Sequence, residues 1–156
     1  MIVCEFEDGV KAKLRHVIID AIIVKDGKIL LVKRTKKLLE GGKWAVIGGF
    51  MNRDEDIFQT VEREVFEETG WKIEDVTLFR IKHWPDRRNE DRQNVGFTFL
   101  AKAIKQEGEK DWESDEIKWF DFNSLPPQDQ IAFDHSDDIE FYKKYLKKKF
   151  PLPILL

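Results

Sequence analysis

The chain has one cysteine, Cys4, and three histidines in 156 residues. A disulfide within the chain is therefore excluded, and a structural zinc site, which takes four Cys or His ligands, is disfavoured. No run approaches the ~18 apolar residues of a membrane span, and the opening MIVCEFEDGVKAK lacks the basic start, apolar stretch and small-residue cleavage site of a secretory leader. Nor does one sign of charge dominate. There are 27 Lys and Arg against 30 Asp and Glu, a net charge of −3, so no basic excess advertises duplex nucleic acid as a partner. These absences predict a cytoplasmic protein with neither a membrane nor duplex nucleic acid as its partner.

Apolar residues make up 42% of the chain and charged residues 37%, with no internal repeat, which suits one globular domain over residues 1–156. IVCEFEDGVKAKL reads as a hairpin turning at Asp8-Gly9. HVIIDAIIV and ILLVKR, joined through Asp26-Gly27, read as buried strands. A loop broken by Gly41-Gly42 leads to a short strand, WAVIGG. VTLFRIKHW, QNVGFTFLAKAI and IKWFDF supply further strands, with the polar loop PDRRNEDR between the first two. From Ser136, the apolar residues Ile139, Tyr142, Tyr145, Leu146 and Phe150 fall at helical spacing, with an acidic start and a basic end that suit the helix dipole. The expected class is α/β (α+β), a mixed sheet flanked by at least two helices.

A second helix is expected over residues 55–69. Asp54, Glu55 and Asp56 favour its N-terminus, Ile57, Phe58, Val61 and Val65 form an apolar stripe, and Gly70 stops it. At ~100° per residue, Glu64, Glu67 and Glu68 share one face. Like charges so spaced repel, and Arg63, about 100° round the helix from Glu64, satisfies only part of the cluster. A hard divalent cation fits better, since Mg²⁺ takes oxygen ligands and bridges to substrate phosphates. The plain alternative for EVFEE alone is a solvated acidic face.

The wider segment alters the balance. Gly49, Glu55, Arg63, Glu64, Glu67, Glu68 and Gly70 stand at spacings that resemble the Nudix box, the signature of the Nudix hydrolases. Seven residue types at fixed spacing coincide by chance on the order of a few times per billion. Trp71, where the family usually has an aliphatic residue, and VIGG, which lacks the proline often found before the glycine pair, depart from the pattern. HVIIDAIIVKDGKILLVKR and ESDEIKWFDFNSLPP resemble the segments on either side of the box.

The resemblance implies a Nudix α/β/α sandwich, with a mixed β-sheet between helices, and a hydrolase that cleaves a nucleoside diphosphate linked to another group X. It implies Mg²⁺ (or Mn²⁺) held by Glu64, Glu67, Glu68 and the carbonyl of Gly48, with Glu55 and Arg63 in support. For the proton acceptor it leaves Glu68, Glu113 and Glu116 open. A small nucleotide needs an aromatic face for its base and cations for its phosphates. Trp44, His83, Trp84 and Phe97 are the aromatic candidates, and Arg34, Arg87, Arg88 and Arg92 the cationic ones, with Trp44 and Arg92 ranked first and Gly48 and Gly49 lining the box entry. WAVIGGF is similar to the box entry of ADP-ribose pyrophosphatases, so ADP-ribose or a nucleotide sugar leads. A triphosphatase for damaged nucleotides and a non-catalytic nucleotide sensor are the alternatives. The apolar tail FPLPILL is expected to cover a groove on this subunit or on a partner, which makes a homodimer conceivable.

Overall fold

Unbroken burial along two strands sets the middle of the molecule. In the computed structural model, which describes residues 2–86 and 93–155, β3 (Val17–Lys25) and β4 (Lys28–Arg34) pair antiparallel. Asp26 and Gly27, both at positive φ, make the tight turn that joins them. Odd-numbered Ile19, Ala21 and Ile23 join Leu30 and Val32 in one apolar cluster, and Ile22 joins Ile29 and Leu31 in another. Side chains on a strand point alternately to opposite faces, so these are the two faces of one sheet. Burying both faces needs cover on both sides.

The cover comes from α1 (Ile57–Thr69), whose Val61 and Val65 are fully buried in the first cluster, and α2 (His135–Lys147), whose Ile139 and Tyr142 join the second. Each such side chain contributes roughly 1.5–3 kcal/mol by leaving water. The result is the expected α/β/α sandwich.

The remaining strands are β5 (Trp44–Ala45), β6 (Ile47–Phe50), β7 (Trp71–Lys82), β8 (Val95–Gln106), β9 (Ser114–Asp121) and β10 (Ile154–Leu155). The sheet runs β10-β7-β8-β3-β4-β5, with β6 also on β3 and β9 also on β4. It is mixed, because β3–β8 and β10–β7 are parallel while the other pairs are antiparallel. The N-terminal hairpin, β1 (Ile2–Glu5) with β2 (Lys11–Leu14), forms a sheet of its own.

Three sequence expectations change. WAVIGG is two strands, since Trp44–Ala45 pair with β4 and Ile47–Phe50 cross to β3. The box helix starts at Ile57 instead of residue 55, because Asp56 is its cap: the Asp56 carboxylate accepts from the N–H groups of Phe58 and Gln59, while Gln59 accepts from the Asp56 N–H. Glu55 thereby falls outside the helix. Leu146 is half exposed and Phe150 lies beyond the end of α2, so the buried stripe of that helix is shorter than its periodicity indicates. The apolar tail lies on its own subunit, where Ile154 and Leu155 pair with Arg80 and Ile81 of β7 and Leu152 packs on the second cluster. Among the described residues no helix is long and apolar enough to cross a membrane.

Candidate active site

The glycine pair at the start of the box is dictated by close approach. A side chain on Gly48 would strike the carbonyl of Ile19, and one on Gly49 would strike the carboxylate of Glu64. Without side chains there, β6 packs tightly on β3 and Glu64 lies against the backbone of Gly49. Gly70 closes the helix in the left-handed conformation, with its N–H bonded to the carbonyl of Phe66.

Arg63 organises the acidic face. Its guanidinium donates to Glu55, to Glu64 Oε1 at 2.8 Å, to Glu67 Oε2 at 2.9 Å and to the carbonyl of Phe50 at 3.0 Å. Hydrogen bonding to Arg63 holds the Glu55 carboxyl down at about 2, and the Asn52 N–H adds to this. Glu55 thus stays ionised and keeps the guanidinium in place. Glu68 lies deeper, 6% exposed, accepting from the Gly48 N–H at 3.2 Å and from Ser114 Oγ at 3.5 Å. Burial pushes its carboxyl well above the usual range, the Gly48 N–H opposes this, and the charges of Glu64 and Asp111 push it further up. Glu64 is likewise raised, first by burial, with Arg63 opposing and Glu67 and Glu113 adding.

A cleft of about 390 Å³ opens beside this face. Arg63, Glu64, Gly48 and Gly49 line it on one side, and Arg34, Glu113, Phe133 and His135 are also in its wall. Arg34 Nε donates to the Leu39 carbonyl at 2.9 Å, and its guanidinium lies 5.1 Å from the centre of the Phe133 ring. The Glu113 carboxyl is raised, chiefly by burial and then by Asp111, with Arg34 opposing.

Several sequence candidates fall elsewhere. Trp44 is 9% exposed on the α2 face of the sheet, with its ring 4.8 Å from that of Phe120 and edge-on to it, so it packs the core and does not line the cleft. Strand parity is the reason, since a tryptophan one residue before Ala45 must face away from α1. Glu116 lies opposite Lys33 in the β4–β9 pair, exposed and outside the cleft. Phe97 packs against the first apolar cluster. His83 and Trp84 stack on each other at 5.4 Å on the surface. Arg87, Arg88 and Arg92 lie outside the described residues.

A buried ionic cluster under the cleft was not anticipated. Lys82, 3% exposed, donates to Asp20 at 2.7 Å, Asp138 at 2.6 Å and Asp134 at 3.4 Å. Arg80 also reaches Asp138 at 2.8 Å, and Asp20 is 3.4 Å from His135 Nε2. Both Asp20 and His135 line the cleft. One signal was available: Asp20 interrupts the apolar run IIDAIIV, and a charge there must find a partner.

Does the donor set suit a divalent cation? As the side chains stand, no group of three His, Cys, Asp or Glu among the described residues is gathered to hold a metal ion. Glu64 and Glu67 are both turned to Nη1 of Arg63. The chemistry does suit one, since every donor is a hard oxygen. Glu67 and Glu113 push Glu64 up, Glu64 and Asp111 push Glu68 up, and among the described residues Glu68 is met by one N–H and one hydroxyl.

The model of the NUDIX domain matches residues 14–145. An ADP-ribose pyrophosphatase of Methanocaldococcus jannaschii is 35% identical over 130 residues, 83% of this chain and 73% of that one. An oxidized purine nucleoside triphosphate hydrolase of Danio rerio is 31% identical over 140 residues, 82% of this chain and 78% of that one. The crystal structure of a NUDIX hydrolase from Nitrosomonas europaea superposes with a TM-score of 0.80, at 24% identity, over 99% of this chain and 91% of that one, a likeness of fold.

Proposed function

The chain belongs to the Nudix hydrolase family, enzymes that act on pyrophosphate bonds, and from that premise we propose that it cleaves ADP-ribose, or a closely related nucleoside diphosphate linked to X, at the bridge between the two phosphates. The observation that carries this is the meeting of the box residues Arg63, Glu64, Gly48 and Gly49 with Arg34 and Glu113 on one cleft. The relative named for ADP-ribose supports the choice of substrate.

Members of this family generally depend on a divalent metal, and here Glu64, Glu67 and Glu68, with the carbonyl of Gly48, would hold it. Such an ion supplies charge neutralisation at the phosphates and lowers the pKa of a bound water. The chain's own residues do the rest. Arg63, itself held by Glu55, ties Glu64, which lines the cleft, to Glu67 beside it on α1. Arg34 offers its guanidinium to a phosphate, and Phe133 and His135 give the nucleoside a wall to lie against. Glu68 and Glu113 are the candidates to accept the water's proton, both favoured by burial for taking one up.

Supplied with Mg²⁺, the protein is expected to convert ADP-ribose and water into AMP and ribose 5-phosphate, and excess EDTA should stop it. The check is product analysis over ADP-ribose, nucleotide sugars, dinucleoside polyphosphates, and canonical and oxidised nucleoside triphosphates. Cleavage confined to triphosphates would reject this substrate class in favour of the activity named for the Danio rerio relative. Binding without any cleavage would make the protein a sensor.

The two loop glutamates separate in a second measurement. Glu113→Gln, in the cleft wall, should lower kcat by roughly a hundredfold if Glu113 is the proton acceptor. Glu116→Gln, exposed on β9, should leave kcat within about twofold, as exposed substitutions usually do. Equal kcat for the two variants would remove Glu113 from the reaction.

A further inference from the structure

The carboxylates have a recess on each side. Besides the cleft, a second hollow of about 550 Å³ is lined by Phe66, Glu67 and residues 108–113. Glu113 lines both. The cleft has the volume of a small-molecule site, whereas the second recess is shallow and open to solvent. The second hollow carries Trp112, 66% exposed. Trp44 is in the core, Trp71 and Trp119 pack edge-to-face at 5.5 Å, and Trp84 stacks on His83. Among the described residues, neither a ring nor a cation packs on Trp112.

The loop that presents this indole is tied down on both sides. The Asp111 N–H donates to the Glu67 carbonyl at 3.0 Å, the Glu113 N–H to Asp111 Oδ1 at 2.9 Å, and the Thr35 N–H to the Glu113 carbonyl at 2.9 Å. Gly108 is bonded to the carbonyl of Gly70 at 3.1 Å. A large aromatic face is thus held at the surface between two anchored residues, one of them Glu113. Ordering it in advance lowers the entropic cost of stacking a ring on it.

We propose that Trp112 is the platform of a second ring-binding subsite, across the carboxylates from the cleft, which takes the group X when X carries a planar ring such as a second nucleobase. This rests on the pyrophosphohydrolase reading above. A bridge cleaved between the two recesses leaves a nucleoside on the cleft side and X on the Trp112 side. The recess carries the carboxylates of Glu67, Glu109, Asp111 and Glu113 against the one ammonium of Lys110, which is bonded to the Ser114 carbonyl, and this acidic excess favours a neutral or cationic ring there over an extra phosphate. Substrates with a ring at both ends gain from the subsite, and ADP-ribose, whose X is a bare ribose, gains little.

The test is calorimetric binding, with Mg²⁺ present, of two ligands whose bridging oxygen is replaced by methylene: diadenosine diphosphate and ADP-ribose. They share everything but X. Trp112→Ala should weaken the two-ring ligand about tenfold, the order expected for one base stacked on an aromatic side chain, and change the ADP-ribose analogue less than about twofold. Trp112→Phe keeps a ring and should restore most of the affinity. Equal losses for both ligands, no loss for the two-ring ligand, or no binding of it by the unmutated protein would each overturn the proposal. Failure of the underlying reading looks different: the Trp112-dependent preference would persist while neither parent compound is hydrolysed.

Discussion

Glu68→Gln is expected to abolish most turnover while leaving the fold intact or more stable. The substitution keeps the size of the side chain and an oxygen that can accept from the Gly48 N–H. It removes the charge that a cation or a proton would meet, so kcat should fall by roughly 10² to 10⁴. Nucleotide affinity should change much less, because Arg34, Phe133 and His135 lie elsewhere in the cleft.

The stability effect has a definite sign with pH. Burial raises the Glu68 carboxyl above its unfolded value, so in the metal-free protein the folded form binds the proton more tightly. The penalty for ionising it is absent below the ordinary carboxylate pKa and grows until pH passes the raised one. Measured in EDTA, the melting temperature of Glu68→Gln should therefore gain on that of the unmutated chain as pH rises from about 4 through the raised value. A variant with unchanged product release would exclude Glu68 from the mechanism, and one that melts far below the unmutated chain in EDTA at neutral pH would make Glu68 structural.

Lys82→Met should cause the largest loss of stability. Lys82 and Asp138 are almost wholly buried, and the ammonium holds three carboxylates drawn from β3, α2 and the turn before α2. Taking one partner out of a buried ionic cluster costs about 3–5 kcal/mol, because the remaining charges stay desolvated. For a domain of this size, that corresponds to a melting temperature lower by roughly 10 °C. Since Asp20 and His135 also line the cleft, nucleotide affinity should fall with it. The control is Lys28→Met, whose ammonium is about half exposed and 4.0 Å from Asp121. Surface pairs of that kind contribute at most about 1 kcal/mol. Similar melting temperatures for the two variants would show that the buried cluster adds no more than a surface pair.

Much of the architecture was legible in the linear chain. The spacing of Glu64, Glu67 and Glu68 places them on one helix whatever else the chain does, and Gly70 ends that helix because few other residues adopt its left-handed backbone. Continuous burial of β3 and β4 could be read from their β-branched runs, and with it the need for a layer on each side. Arg63 was expected to meet only part of the acidic face, and it reaches Glu64 and Glu67.

These features depend on residues a few positions apart, where helix and strand periods alone decide which side chains are neighbours. Choices between distant residues are different. That Glu113 and not Glu116 reaches the cleft depends on where β9 begins its pairing with β4. That Trp44 faces α2 depends on the register of a two-residue strand. That Lys82 meets Asp20, 62 positions away, depends on β8 lying between β7 and β3 and on α2 closing over them. Such contacts follow from strand order and register, which are set by the packing of the whole sheet and leave no local periodicity to read, so only the tertiary structure decided them.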